Sequence, residues 1–328
     1  MSIHVLAPGL LTTVQDGGRR GLKAIGVGSA GAMDGIAARL ANGLVDNARD
    51  APTLEITLRG PRLRFEADAL IALTGADIDA HCGDEPVPMW RPVALRAGSE
   101  LNLGGMRHGC RTYLAVAGGI DLPAALGSRS SDVNAALGPI PRALSAGDVL
   151  PCAAQMRPFV ERAGHRNVFP AKWSLDPAPW FDAAAANPIR AIAGTHFDRL
   201  DADSRQALFG AEFRIGVDSN RVGSRLEGVA LKLAAPIELV SEGVAPGTVQ
   251  LPPGGVPIAL GAEAPTTGGY PRIAHIADVD QPRFAQRRPG DRVRFARIDC
   301  ADAQMRYLER ERALAKLETW IRARLRRP

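Results

Sequence analysis

Cysteine, aromatic residues and lysine are all scarce in this 328-residue sequence, and each shortage closes off a class of protein. The four cysteines, Cys82, Cys110, Cys152 and Cys300, lie far apart with no C-x-x-C, which argues for reduced thiols rather than a disulfide framework or a zinc site. Aromatics make up only 5%, and basic residues are dispersed except in the tail after Ile321. A nucleic-acid surface needs clustered cations interleaved with rings, so no nucleic-acid partner is expected. Only Lys23, Lys172, Lys232 and Lys316 among the 40 basic residues are lysines, and 35 acidic residues leave a net charge of +5. No apolar run approaches 18 residues, and Met1-Ser2-Ile3-His4-Val5 does not begin a leader, so a cytoplasmic chain without a membrane partner is expected. No Gly-Lys pair occurs, which removes a Walker A loop. No lysine is flanked by methionines, so covalent biotin is not expected on this chain. G-x-S-x-G, H-E-x-x-H and histidines paired at ligand spacing are absent too.

What is present is a globular composition, 46% hydrophobic and 23% charged, enough for one large core or two ordinary ones. Thirty-five glycines and 25 prolines punctuate short apolar runs, as at 54–58, 70–73, 114–117 and 237–240. Strands bounded by turn residues at such spacing predict a barrel or sandwich rather than βαβ units. Two helices stand out. Residues 34–42 carry Asp34 as N-cap with Ile36, Leu40 and Leu44 on one face. Residues 301–326 read as a long Arg/Glu-rich surface helix carrying Met305, Leu308, Leu314 and Leu317.

The halves repeat one another. Ile3-His4-Val5-Leu6-Ala7-Pro8-Gly9 corresponds to Ile189-Arg190-Ala191-Ile192-Ala193-Gly194, and Ile25-Gly26-Val27 to Ile215-Gly216-Val217. Leu54-Glu55 corresponds to Ile237-Glu238, and Pro92-Val93-Ala94-Leu95 to Pro257-Ile258-Ala259-Leu260. Ile120-Asp121-Leu122-Pro123 resembles Val279-Asp280-Gln281-Pro282, and Gly147-Asp148-Val149 resembles Gly290-Asp291-Arg292-Val293. Six matches in one order predict a mainly β protein of two related domains, 1–152 and 188–298, with a Pro-containing linker at 153–187 and a C-terminal helix at 299–328.

Several stretches together resemble one family, variously called the 5-oxoprolinase C subunit, Kip antagonist or allophanate hydrolase subunit 2-like. They include Thr12-Thr13-Val14-Gln15-Asp16-Gly17-Gly18-Arg19, Gly31-Ala32-Met33-Asp34 and Leu114-Ala115-Val116-Ala117-Gly118-Gly119-Ile120-Asp121. The second half adds Ser219-Asn220-Arg221-Val222-Gly223-Ser224-Arg225-Leu226, Ser241-Glu242-Gly243-Val244-Ala245-Pro246-Gly247-Thr248-Val249-Gln250 and Thr266-Thr267-Gly268-Gly269-Tyr270-Pro271. The resemblance implies two tandem cyclophilin-like β-barrels. It also implies two partners, the Kip inhibitor-like B subunit and the A subunit of 5-oxoprolinase, with ATP and Mg²⁺ used to open 5-oxoproline to glutamate. Two other roles come with it: a regulatory protein that antagonises a kinase inhibitor, and a carboxyltransferase component of a urea carboxylase-like, biotin-dependent enzyme. Fold carries over from such a likeness better than reaction does.

Within those motifs, Thr12, Thr13, Gln15, Asp16 and Arg19 could present donors and a guanidinium to an anion, although a polar hairpin would use the same residues. Asn220, Arg221 and Arg225 could grip a carboxylate or phosphate if the segment turns helically and the arginines share a face; a solvated turn is the equal alternative. As solvated residues, the two arginines would contribute little to stability. Thr266, Thr267, Tyr270 and Arg272 combine hydroxyls and a ring with a glycine pair that any tight connection also needs. Glu242 and Gln250 flank a Gly/Pro-rich bend, and Glu242, with Asp16, is a candidate general base or acid. Asp77, Asp79 and His81 alternate along one strand face; they read as its wet side, and no metal site is expected.

Overall fold

The computed structural model describes residues 1–153, 166–182 and 187–326. Residues 154–165 and 183–186 of the expected linker, and 327–328 of the basic tail, lie outside the described residues. The chain divides into two compact units that do not follow simple sequence halves. The first comprises Met1–Gly18, Asp34–Ala183 and Ala315–Pro328; the second comprises Arg19–Met33 and Ala184–Leu314.

The first unit is built on a ten-stranded sheet. Its strands are β1 (Ser2–Ala7), β2 (Leu11–Gln15), β3 (Thr53–Thr57), β4 (Arg62–Phe65), β5 (Ala69–Cys82), β6 (Glu85–Pro86), β7 (Pro92–Leu95), β8 (Glu100–Val116), β9 (Val149–Pro151) and β10 (Val168–Pro170). They run in the order β10-β7-β5-β8-β4-β1-β9, with β2 paired to β3, β3 to β8 and β6 to β5. The 14- and 17-residue strands β5 and β8 form its spine, and successive register shifts between Gly75 and Ala80 bend their ladder. The core contains Ile3, Leu54, Ile56, Leu63, Phe65, Ile71, Leu73 and Leu114, all almost fully buried. Helix α1 (Gly35–Leu44) packs on β3, β5 and β8, burying Ile36, Leu40 and Leu44; the Asp34 carboxylate caps it by accepting from Ala37 N–H at 2.9 Å. Part of the expected linker joins the sheet, because β10 pairs with β7 and Ala171 and Leu175 are buried behind it.

The second unit closes completely. Its barrel runs β11 (Ile189–Ala193), β18 (Arg272–Ile276), β15 (Thr248–Gln250), β16 (Ile258–Leu260), β13 (Gly223–Glu227), β12 (Glu212–Ile215) and β19 (Arg292–Arg297), with β19 returning to β11. Closure leaves no free edge. Helices α2 (Ala202–Gly210) and α3 (Gln281–Ala285) accompany it, and β14 (Glu242–Gly243) with β17 (Thr267–Gly268) make a separate two-stranded ladder. Val249, Ala259, Ile273, Ala274, Leu226, Phe213 and Phe295 point into the barrel core.

The long helix α4 (Cys300–Leu325) appears where the Arg/Glu-rich pattern places it, but its buried positions are Leu314 and Ile321, whereas Met305 and Leu308 are about half exposed. In the first unit its last turns are held by Arg39, whose Nε lies 2.5 Å from Glu318, and by an edge-to-face contact of Trp320 with Trp173.

The internal repeat is legible at three places. β1 and β11 carry the same burial alternation, and β7 and β16 are both strands. At Gly147-Asp148 and Gly290-Asp291 the glycine takes φ +90° in each copy. There each aspartate closes the turn, accepting at 2.8 Å from the N–H three residues back, Ser145 or Arg288. The other matches diverge: Leu54 lies in β3 while Ile237 is in no strand, Ile25 ends a short 3-10 turn while Ile215 ends β12, and Pro282 opens α3 while Pro123 lies in a loop. No helix among the described residues is long and apolar enough to cross a membrane.

Candidate functional site

The structure distributes the polar motif residues over three settings. In the first unit, Thr12, Thr13 and Gln15 lie on β2 and are buried. Thr12 Oγ1 donates to Pro8 O at 2.7 Å, and Gln15 Nε2 donates to Thr13 Oγ1 at 3.0 Å and to Ser131 O at 2.9 Å. Asp16 follows and accepts from Ser128 Oγ, Ser130 Oγ, Arg129 N–H and Gly18 N–H at 2.6–2.8 Å. Burial works to raise its pKa, but the two hydroxyls and two amides outweigh it and hold the carboxyl below its ordinary range. A carboxylate so saturated ties the 128–131 loop to β2. Gln15 Oε1 and Ser131 Oγ, both buried, find no partner among the described residues. Arg19 is buried as well, and belongs to the second unit, where its N–H donates to Ser29 O at 2.6 Å.

The second setting centres on Arg221. The segment does not turn helically: Asn220 Oδ1 accepts from Val222 N–H at 2.8 Å, closing a turn that runs straight into β13. Arg221 is only 3% exposed, its Nε 2.6 Å from the buried Glu263 carboxylate and its Nη2 2.7 Å from Gly31 O. Arg225 is exposed on the strand. The shared helical face is therefore replaced by one buried anchor and one surface arginine. The anchor holds the Arg19–Met33 segment to the second unit, assisted by Lys23 Nζ donating to Val244 O at 2.7 Å.

The third setting gathers the most motif residues. Barrel register pairs Arg225 with Ile258, Ile258 with Gln250, and Gln250 with Arg272, giving one row across β13, β16, β15 and β18. Directly paired residues share a sheet face, and their neighbours Leu226, Ala259, Val249 and Ile273 fill the core, so this row faces outward. An irregularity aims it. Val249 pairs with Ala274, yet the next residue pairs with Arg272, so Ile273 and Ala274 both enter the core and Arg272 turns out beside Gln250.

The β14–β17 ladder bears on this outer row. Glu242, opposite Gly268, forms an ion pair with Arg272 Nη2, and Arg272 Nη1 donates to Gly243 O at 3.3 Å. Gly268 sits against the Gln250 amide: a Cβ there would lie 2.4 Å from Nε2, so any larger residue would make the amide swing aside. Gln250 is 5% exposed and its Nε2 has no hydrogen-bond partner among the described residues. Thr267 and Tyr270 are exposed nearby in sequence, and Thr266 O accepts from Val244 N–H at 3.2 Å. A guanidinium and an unsatisfied amide donor on one face suit an oxyanion or carbonyl oxygen.

Between them, two comparisons cover most of the chain. A family model described as "Carboxyltransferase domain, subdomain A and B" matches residues 25–297. The chain belongs to the carboxyltransferase domain family. Among curated relatives of this carboxyltransferase-domain chain, the 5-oxoprolinase C subunit of Escherichia coli (strain K12) is 39% identical, the alignment covering 94% of this chain and 96% of that protein. The protein of the same name from Haemophilus influenzae is 35% identical over 89% of each. Among solved structures, the Kluyveromyces lactis urea carboxylase superposes with TM-score 0.82 at 29% identity, covering 92% of this chain but 28% of that one.

Two residues of the carboxyltransferase-domain chain escaped the sequence reading. His196 accepts at Nδ1 from Arg272 N–H at 3.1 Å, which puts the proton of the neutral ring on Nε2. Burial, with Arg272 and Arg199 beside it, holds His196 below its ordinary pKa. His275 on β18 lies 3.5 Å from Thr248 Oγ1 and is also pushed down by burial. Isolated histidines in no motif carry no local signal; barrel register brings His275 to Thr248, and the turn after β11 brings His196 to Arg272. Asp77 and Asp79 pair with Arg107 on the surface, with His81 Nδ1 3.4 Å from Asp79.

Proposed function

We propose that this chain is the C subunit of an ATP-dependent 5-oxoprolinase, hydrolysing 5-oxoproline to glutamate together with the A and B subunits. The observation that carries this reading is the end-to-end likeness to the Escherichia coli protein of that name, 96% of which is covered. Urea carboxylase-type relatives match this chain as a minor part of much longer proteins. The described residues gather no cluster that would hold Mg²⁺ without a nucleotide's phosphates. Among the described residues no three His, Cys, Asp or Glu side chains converge, the Asp16 carboxylate is already filled by four donors, and the sequence has no phosphate loop. In this reading ATP with Mg²⁺ is held mainly by the partner subunits. What this chain supplies in this reading is a polar face on the barrel of the second unit, Arg225, Gln250 and Arg272, that binds and orients a small amide, with Glu242 beside it as candidate base.

ATP-dependent release of glutamate from 5-oxoproline tests the proposal. Negligible turnover is expected from the chain alone, and activity once the A and B subunits are added. Turnover by the chain alone overturns the partner requirement. Inactivity of the complete mixture overturns the hydrolase reading and favours a regulatory one. The family model's own name supports a second reading, a component of a biotin-dependent carboxyltransferase. Carboxyl transfer to urea from a biotinylated partner, in place of glutamate release, would select it.

A further inference from the structure

We propose that the outer row of the barrel in the second unit is a carboxylate-binding subsite in which Arg272 and Gln250 take the ligand's carboxylate and Glu242 occupies that place when no ligand is bound. Three observations meet there. The Arg272 guanidinium already binds a carboxylate, that of Glu242, so the local geometry accepts this group. Glu242 is half exposed on a two-residue strand that is held by a single partner, so replacing it disturbs no core packing. The Gln250 amide beside Arg272 is nine-tenths buried with an unused donor.

A buried N–H without an acceptor is costly, so such a group takes its partner from water or a ligand. A carboxylate has two oxygens with about four lone-pair sites. One oxygen can face Arg272 and the other Gln250, which Glu242 does not do in this structure. Gly268 fits the same account. Its φ is not in the left-handed region, so what a side chain there would displace is the Gln250 amide. His196, whose Nδ1 is taken by the Arg272 N–H, keeps a neutral ring behind the arginine and adds no competing charge.

The ligand class that follows is a small carboxylate. This rests on the 5-oxoprolinase reading for its identity, since 5-oxoproline carries a carboxylate on its lactam ring, but not for its geometry. The experiment titrates the full-length chain with 5-oxoproline, with 2-pyrrolidinone (the same lactam without the carboxylate) and with inorganic phosphate. 5-Oxoproline is expected to bind at least tenfold more tightly than either of the others. Arg272→Ala and Gln250→Glu should each weaken it by about 10- to 100-fold, the range of one charge-assisted hydrogen bond. Glu242→Gln should tighten it by releasing the internal competitor, an effect that misfolding cannot imitate. Gly268→Ala should weaken it by filling the space beside the amide. Equal binding of 2-pyrrolidinone, preference for phosphate, absence of binding, or unchanged affinity in Glu242→Gln would each overturn the subsite. In the assembled enzyme, activity with a KM indifferent to Arg272→Ala sinks the subsite and leaves the function standing. Arg272-dependent carboxylate binding in an inactive assembly does the reverse.

Discussion

Two arginine–glutamate pairs in the second unit use the same chemistry to opposite ends. Arg221 and Glu263 have side chains 3% and 1% exposed, and the guanidinium also takes Gly31 O, so the pair pins the Arg19–Met33 segment from inside. Arg272 and Glu242 are 23% and 54% exposed, lie on the outer face, and hold only a two-residue strand. Desolvation separates them. Breaking a buried pair strands a charge with no water to receive it, whereas an exposed pair trades its partner for solvent or ligand at little expense. Burial therefore decides which arginine is architecture and which is available for binding.

The largest expected effect tests the buried side of that contrast. Arg221→Ala should destabilise the protein by about 3–5 kcal/mol in denaturant unfolding, because it takes the guanidinium away from a buried carboxylate. A loss under 1 kcal/mol would remove the distinction between the pairs. Next comes Asp16→Ala, a half-buried carboxylate satisfied by neutral donors instead of an arginine. It should cost about 2–3 kcal/mol, and proteolysis within 128–131 should accelerate as the loop loses its tie. If Asp16→Asn retains full stability, the carboxylate charge is irrelevant there.

A smaller, pH-dependent effect probes the strand that carries Arg272. His275 is held below its ordinary pKa by burial, so the unfolded chain binds its proton first. Stability should be complete above about pH 6.5 and decline as pH falls from there toward the lowered folded-state value. His275→Gln should flatten that slope; an unchanged slope assigns it elsewhere. Asp280, lowered by the Arg190 guanidinium and N–H against its own burial, acts in a separate window. Its contribution is present above the ordinary aspartate range and lost as pH falls through its lower folded value. Smallest of all, Arg272→Ala should change unfolding free energy by about 1 kcal/mol or less. A loss as large as that of Arg221→Ala would mean the outer pair is structural.

Much of the local architecture was legible because it depends on near neighbours. Asp34 as N-cap, the Arg/Glu-rich final helix and the two Gly-Asp turns each need only a few consecutive residues. The site was legible only as a set of motifs. Asn220-Arg221-Val222-Gly223-Ser224-Arg225 does not reveal that one arginine turns inward and the other outward, since that follows from Glu263, 42 residues away. Nor does any window around Gln250 show its row with Arg225 and Arg272, which barrel closure and a bulge at Ile273 create. His196 and His275 carry no motif at all.

By itself, then, the sequence determined the β class, the caps and turns and the family, because periodicity and turn chemistry are local and motif order survives in one dimension. Tertiary structure alone decided that Arg19–Met33 joins the second unit and that the Asp16 carboxylate is filled by the 128–131 loop. It alone left the Gln250 amide buried and unanswered beside Arg272. Burial and hydrogen-bond satisfaction depend on contacts between distant residues, and these set what each polar side chain is free to do.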